Sequence, residues 1–222
     1  MNELNLRAIE SRSWKAMQQN GLFDLLFGLV LAANALSMLL DELGIAAAIR
    51  IASTLTLYIA GIAGSWLARK RYVVPRTGTV KLGSDRRRRV RGSRLVLSIS
   101  VLLTLALLAL ITIARFSPAH WLGELGGFAP SAMIGLIVLV PLAVLAYVLE
   151  YPRLVIHAVL FVGAEFATVA LARSALIPAT GAIAFGSAAA VSLTIGSVVF
   201  AKFLRSVPIV RRVPSEAGAN DR

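Results

Sequence analysis

The chain has 222 residues, of which 58% are hydrophobic and 15% charged, with a net charge of +12 and no cysteine. An ordinary soluble domain has roughly 45–50% apolar and about 25% charged residues, so this composition excludes a soluble enzyme, a disordered chain and a disulfide-stapled secreted module. It also excludes a thiolate nucleophile, a thiolate zinc site and a thiolate-held iron–sulfur cluster.

Residues 1–20 carry Leu4, Leu6, Ile9, Trp14 and Met17 among Glu3, Arg7, Glu10, Arg12 and Lys15. That pattern predicts a helix lying at the membrane surface with Trp14 at headgroup depth. No short apolar run is followed by a small-residue cleavage site, so the first hydrophobic segment is expected to be a retained helix. Six apolar stretches follow, at 22–40, 45–67, 95–115, 127–149, 154–173 and 176–203. Each approaches or exceeds the roughly 20 residues that one helical crossing needs. Asp41-Glu42-Leu43-Gly44 turns the first pair into a hairpin. Pro118, Gly123, Gly126 and Gly127 separate the third stretch from the fourth, Glu150-Tyr151-Pro152-Arg153 the fourth from the fifth, and Arg173, Ser174 and Pro178 the last two. Pro141 is expected to kink the fourth helix. The predicted fold is an all-α bundle of six transmembrane helices forming one membrane domain. The interfacial helix precedes it, residues 68–94 form a basic loop, and residues 204–222 form a tail.

The basic residues set the predicted orientation. The termini and the loops after even-numbered helices hold three (Arg7, Arg12, Lys15), eleven (69–94), one (Arg153) and five (Lys202, Arg205, Arg211, Arg212, Arg222), twenty of the 23 in the chain. Arg50, Arg115 and Arg173 fall on the other side. The positive-inside rule then places both termini and the long loop in the cytoplasm, in the inner (cytoplasmic) membrane.

The loop contains Arg69, Lys70, Arg71, Arg76, Lys81, Arg86, Arg87, Arg88, Arg89, Arg91 and Arg94 against one acid, Asp85. Tyr72, Val73, Val74, Thr79 and Val80 favour extended structure, and Pro75-Arg76-Thr77-Gly78 suits a tight turn, so a short β-hairpin is predicted. Ser84 or Asp85 then caps a helix leading into the third crossing, whose first-turn arginines oppose the helix dipole and call for an anionic partner. Clusters of four to eight juxtamembrane basic residues read as binding sites for anionic lipid. The plainer reading is a topology anchor. No aromatic residues interleave the arginines, which argues against nucleic acid.

NELNLRAIESRSW, GLFDLLFGLVL and RYVVPRTGTVKLGSDRRRR together resemble a family of prokaryotic multi-pass membrane proteins with no assigned activity. Its members carry an ELxxIExxS-type start, a GLxDxxFG first helix and a VPRxGxVK-type loop after the second helix. The resemblance covers roughly the first 95 residues, with Thr79 where the family has an aromatic. It implies a multi-pass fold and no particular chemistry.

Ionisable groups at membrane depth are functional candidates. His157 and Glu165 in the fifth stretch lie on nearly one helix face, about 12 Å apart along the axis, with Phe161 between them. Candidate partners for Glu165 are Asn34 or Ser37 from the first helix and Ser187, Ser192 or Thr194 from the sixth. Asp24, at the start of the first crossing, is expected at headgroup depth, complementing the helix N-terminus. His120 and Glu124 do not suffice for a metal site. Gly163 with Ala167, and the run from Gly181 to Ala190, offer small surfaces for close helix packing or a subunit contact.

No phosphate-binding loop, nucleophile elbow or HExxH motif is present, and the acids are scattered. The predicted function is noncatalytic, without cofactor or metal. The chain reads as a scaffold, accessory or regulatory membrane protein engaging anionic headgroups or a membrane-protein partner through the basic loop, with a homo-oligomer as a further alternative. The competing reading is a small proton- or cation-coupled transporter or channel with its polar site at Asn34, His157 and Glu165. A water-filled cavity reaching Glu165 would favour transport, and a dry, hydrogen-bonded Glu165 the scaffold.

Overall fold

The computed structural model describes residues 20–77, 92, 95, 98–99, 102, 128–174 and 178–208. The predicted interfacial helix up to Gln19, most of the 95–115 stretch, His120 with Glu124, residues 209–222, and Lys81, Arg86 to Arg89, Arg91 and Arg94 lie outside them.

Among the described residues, regular structure is entirely helical, and five helices are long and apolar enough to cross a membrane. These are α1 (Leu22–Glu42), α2 (Ala47–Ala68), α3 (Ala129–Val148), α4 (Arg153–Ser174) and α5 (Thr180–Ser206). Burial is inverted relative to a water-soluble protein. Ile49, Ile59, Ile62 and Leu67 are exposed, whereas Asn20, Asp24, His157 and Ser192 are buried. A multi-pass membrane protein has this distribution because lipid solvates apolar side chains and does not solvate polar ones.

Helix α1 begins where the Asn20 side-chain oxygen accepts from Leu22 N–H at 3.0 Å. It ends in a Schellman turn, with Ile45 N–H donating to Leu40 O and Gly44 N–H to Asp41 O, both at 2.9 Å. Gly44 takes the left-handed conformation this turn requires, at φ 68°. Arg50, one of the three basic residues on the minority side, forms an ion pair with Asp41 across this hairpin.

The closest packing in the bundle is α1 against α5, running antiparallel. A Cβ on Gly21 would fall 2.7 Å from Gly196 O, and one on Gly28 would fall 2.7 Å from the Leu193 side chain. A Cβ on Gly196 would lie 2.7 Å from Leu25 N. At the far end Gly181 faces Met38. The small face of the last helix thus serves α1 as well as α4, whose Ala164 joins Leu31, Ala184, Phe185, Ala188 and Ala189 in one cluster. Among the described residues nothing lies within 4 Å of a Cβ on Gly163, whereas Ala167 is partly buried against the cluster.

Helix α2 is antiparallel to α1, with Gly61 against Leu26 and Leu29. Helix α3 is antiparallel to α4, with Gly135 against Val162 and Phe128 stacked on Phe166. The start of α1, the start of α4 and the ends of α2, α3 and α5 therefore share one side. Pro141 sits within α3, which continues past it.

The predicted hairpin is corrected over Tyr72–Thr77. Helix α2 runs on through a π-helical turn, Arg69–Val73, and a last α-turn, Val74–Thr77. Val73 is fully buried with Leu22 and Phe203, and Tyr72 meets Phe200 edge-on at 6.3 Å. Tertiary packing therefore overrides the extended preference of Tyr-Val-Val. The wider turn immediately precedes Pro75, which has no N–H to give the helix ladder.

Gly196→Ala is expected to destabilise the bundle by about 1–3 kcal/mol, because its neighbour is backbone and cannot move aside. Gly163→Ala should stay within about 0.5 kcal/mol of the parent. Unfolding in detergent micelles compares the two.

Candidate functional site

Three helices and one turn bring a polar cluster together on the side where α1 and α4 begin. Its centre is Asp24, with no exposed surface. Asp24 Oδ1 accepts a short hydrogen bond from the Tyr151 hydroxyl and lies 2.6 Å from His157 Nε2. Arg153 Nη1 donates to Asp24 Oδ2 at 3.2 Å. On the other edge of the imidazole, Ser192 Oγ is 2.7 Å from His157 Nδ1 and 3.4 Å from the Asp24 carbonyl oxygen. Phe27 stacks on the imidazole at 5.5 Å with the planes 4° apart, and Phe23 packs on Tyr151.

Local structure explains how each group arrives. Asp24 and Phe27 are three residues apart and share a face of α1. Arg153 and His157 are four apart and share a face of α4. Tyr151 is placed by the end of α3, a second Schellman turn in which Tyr151 N–H donates to Ala146 O at 2.8 Å and Glu150 N–H to Tyr147 O at 3.2 Å. Glu150 occupies the left-handed position at φ 54°, a conformation costing a non-glycine residue roughly 1–2 kcal/mol. Tyr151 then packs on Ala146 and Leu154, the apolar contact such turns favour. Ser192 reaches the imidazole because Gly196, one turn further along α5, lets α5 approach the α1 backbone.

Hydroxyl, imidazole and carboxylate are thus linked in the order of a nucleophilic triad. Ser192 is fully buried, so it presents no face to a substrate. The arrangement can move a proton among its members. Burial pushes the Tyr151 phenol above its ordinary value, and its bond to Asp24 and the nearby carboxylate charge push the same way, against a smaller opposing effect of Arg153. The phenol therefore remains a donor to Asp24.

Of the sequence-derived candidates, His157 enters this cluster and Glu165 does not. Glu165 is half-buried two turns further along α4 and makes no hydrogen bond among the described residues. Asn34 donates instead to Val30 O at 2.9 Å and to the Tyr58 hydroxyl at 3.2 Å. Ser187 and Thr194 donate to carbonyls of their own helix, and Ser192 belongs to His157. Asp24, in the first turn of α1, is enclosed by groups from the turn before α4, from α4 and from α5, and its carboxylate accepts from Tyr151, Arg153 and His157. Sequence reasoning also passed over Tyr151 and Arg153 as partners.

The second feature is electrostatic. Arg69, Lys70, Arg71, Lys202 and Arg205 are exposed, and Arg76 and Arg153 partly exposed, at the end that carries the cluster. Lys70 lies over the Trp66 ring at 5.4 Å. A cleft of about 200 Å³ opens there between α1 and α2, lined by Asn20, Phe23, Leu26, Ile62, Trp66 and Arg69 among others. Neither Glu165 nor His157 lines it. At the opposite end Arg50 is paired with Asp41, and Arg173 sits over Phe128 at 4.0 Å.

Comparison of the chain with family models, with curated proteins and with solved structures finds no match.

Asp24→Ala is expected to cost about 3–5 kcal/mol, because it removes the buried acceptor that Tyr151, Arg153 and His157 share. Tyr151→Phe should cost about 1–3 kcal/mol. The phenol also gives a pH signature. Above the ordinary value of 10.0 the unfolded chain ionises Tyr151 while the folded chain keeps the proton, so stability present below pH 10.0 is lost as pH rises. Thermal unfolding across alkaline pH should show a steeper loss in the parent than in Tyr151→Phe.

Proposed function

We propose that this is a noncatalytic integral membrane protein, a scaffold or accessory subunit, that engages an anionic leaflet through its basic end. The observation carrying this reading is the gathering of Arg69, Lys70, Arg71, Arg76, Arg153, Lys202 and Arg205 at one end of the bundle. Each basic residue near an anionic surface contributes about 1 kcal/mol. Trp66 and the exposed Tyr147 near the same end suit headgroup depth. The largely apolar cleft beside Arg69 suits part of an acyl chain of a phospholipid whose headgroup phosphate would meet Arg69 and Lys70. The sequence adds Lys81, Arg86 to Arg89, Arg91 and Arg94 to the same cytoplasmic segment, and a membrane-protein partner with an acidic face is the other occupant of this chemistry.

In this reading the chain crosses the inner membrane six times with both termini cytoplasmic. What supports a sixth crossing is that Thr77 and Ala129 lie on opposite sides of the bundle and that the sequence between them holds one apolar stretch of sufficient length, 95–115. The resemblance carried by GLFDLLFG and VPRTGTVK accords with a multi-pass fold of this kind.

Replacing Arg69, Lys70 and Arg71 together by glutamine is expected to lower affinity for phosphatidylglycerol about 100-fold, the equivalent of about 3 kcal/mol. Titration of that lipid, against phosphatidylcholine, into detergent-solubilised protein with thermal unfolding as readout measures it. Equal stabilisation by the two lipids would overturn the anionic-leaflet reading. The cysteine-free chain also permits single-cysteine mapping. Thr77→Cys should react with an impermeant maleimide from the cytoplasmic face and Leu43→Cys from the opposite face.

A further inference from the structure

His157 is enclosed on every side that its neighbours provide. Asp24 and Phe27 face it from α1, Tyr151 and Arg153 flank the shared carboxylate from the start of α4, and Ser192 faces it from α5. A neutral imidazole has one donor and one acceptor nitrogen, and an imidazolium has two donors. Nε2, 2.6 Å from a carboxylate oxygen, is the donor in either form. Nδ1 is the nitrogen that changes, and its only partner among the described residues is Ser192 Oγ.

Ser192 has one hydrogen and two acceptors within reach. One is Nδ1 at 2.7 Å and the other the Asp24 carbonyl oxygen at 3.4 Å. With a neutral imidazole the hydroxyl donates to Nδ1. With an imidazolium Nδ1–H donates to Oγ, and the hydroxyl hydrogen turns to the Asp24 carbonyl. Both forms leave every ring nitrogen and the hydroxyl paired. A buried histidine with a purely structural role needs satisfaction in one form only.

We propose that His157 is a reversible proton-binding site, with Ser192 as the hydrogen-bond switch that lets the buried ring accept the proton. Asp24 and Arg153 cancel formally, so uptake takes the trio from a formal charge of zero to +1. Arg153, 28% exposed at its side chain, is the member of the cluster that reaches the surface. Because this site rests on hydrogen-bond geometry alone, it stands whether or not the basic end binds lipid.

The chain has two histidines, so His120→Gln leaves His157 as the single reporter. Nitrogen-15 NMR of the ring in that full-length background, reconstituted in lipid nanodiscs, reads tautomer and charge. The expected result is a neutral ring carrying its proton on Nε2 at high pH, converting reversibly to imidazolium on acidification while the helical circular dichroism is unchanged. Ser192→Ala should weaken proton uptake about tenfold, since a hydrogen bond to the charged ring is worth more than one to the neutral ring. Ser192→Thr, which keeps the hydroxyl, should restore most of it. A ring that keeps one protonation state over the whole range in which the parent stays folded would overturn the proposal. So would a neutral ring protonated on Nδ1, or proton affinity unchanged in a folded Ser192→Ala.

Discussion

A carboxylate that has lost all contact with solvent must be paired, and Asp24 is such a carboxylate. Within lipid, apolar helices gain little from meeting one another, since the surrounding tails are equally apolar. The need to satisfy Asp24 is therefore directional in a way that burying leucine is not. Its donors come from the beginning of α4, and its own carbonyl lies within reach of α5. One side chain thus sets how three helices meet at that end. The close α1–α5 contact through Gly21, Gly28 and Gly196 is the steric counterpart, because a larger residue would hold Ser192 away from the ring.

The turn before α4 shows how local chemistry serves this demand. Ending α3 in a left-handed residue reverses the chain within two positions, and Pro152 starts the next helix with a suitable φ. A glycine is the usual choice at such a position, yet Glu150 occupies it. What the turn gains is a fixed Tyr151, whose phenol would otherwise have to reach Asp24 from a freer loop. Arg153 and His157 follow at the spacing of one helical turn, so turn and helix together deliver three donors to one carboxylate.

Much of this was legible in the sequence. Hydropathy located helices within a few residues of α1, α2, α3, α4 and α5, since length and apolar content are local properties. The cluster was not legible, because its contacts join residues 127, 129 and 133 positions apart. His157 drew attention as a buried ionisable group, but helical spacing pointed along its own helix to Glu165, and its partners are on other helices. A signal did exist in GLFDLLFG. Gly21, Asp24, Gly28 and Leu31 recur at intervals of three and four, placing two glycines and an acid on one stripe of an otherwise greasy helix. Such a stripe faces protein and not lipid, which identifies Asp24 as interior. The extension of α2 through Tyr72-Val-Val was hidden for the converse reason, since burial of Val73 against Leu22 and Phe203 decides it and composition does not.

Arg153 joins the interior and the surface. It holds a fully buried carboxylate on one side, covers the Tyr151 ring at 5.6 Å, and keeps part of its side chain in contact with solvent. The other cations at this end lie on the extension of α2, which adds no side chain to the cluster, or near the end of α5, ten or more residues past Ser192. A charge that is partly solvated interacts with headgroups over about a Debye length, whereas its contact with Asp24 is short and unscreened. Were the basic end to meet an anionic leaflet as proposed, Arg153 would be the cation that joins that leaflet's potential to the buried cluster. A lysine at this position, with a compact ammonium, would not offer a guanidinium plane to the ring together with an N–H to the carboxylate.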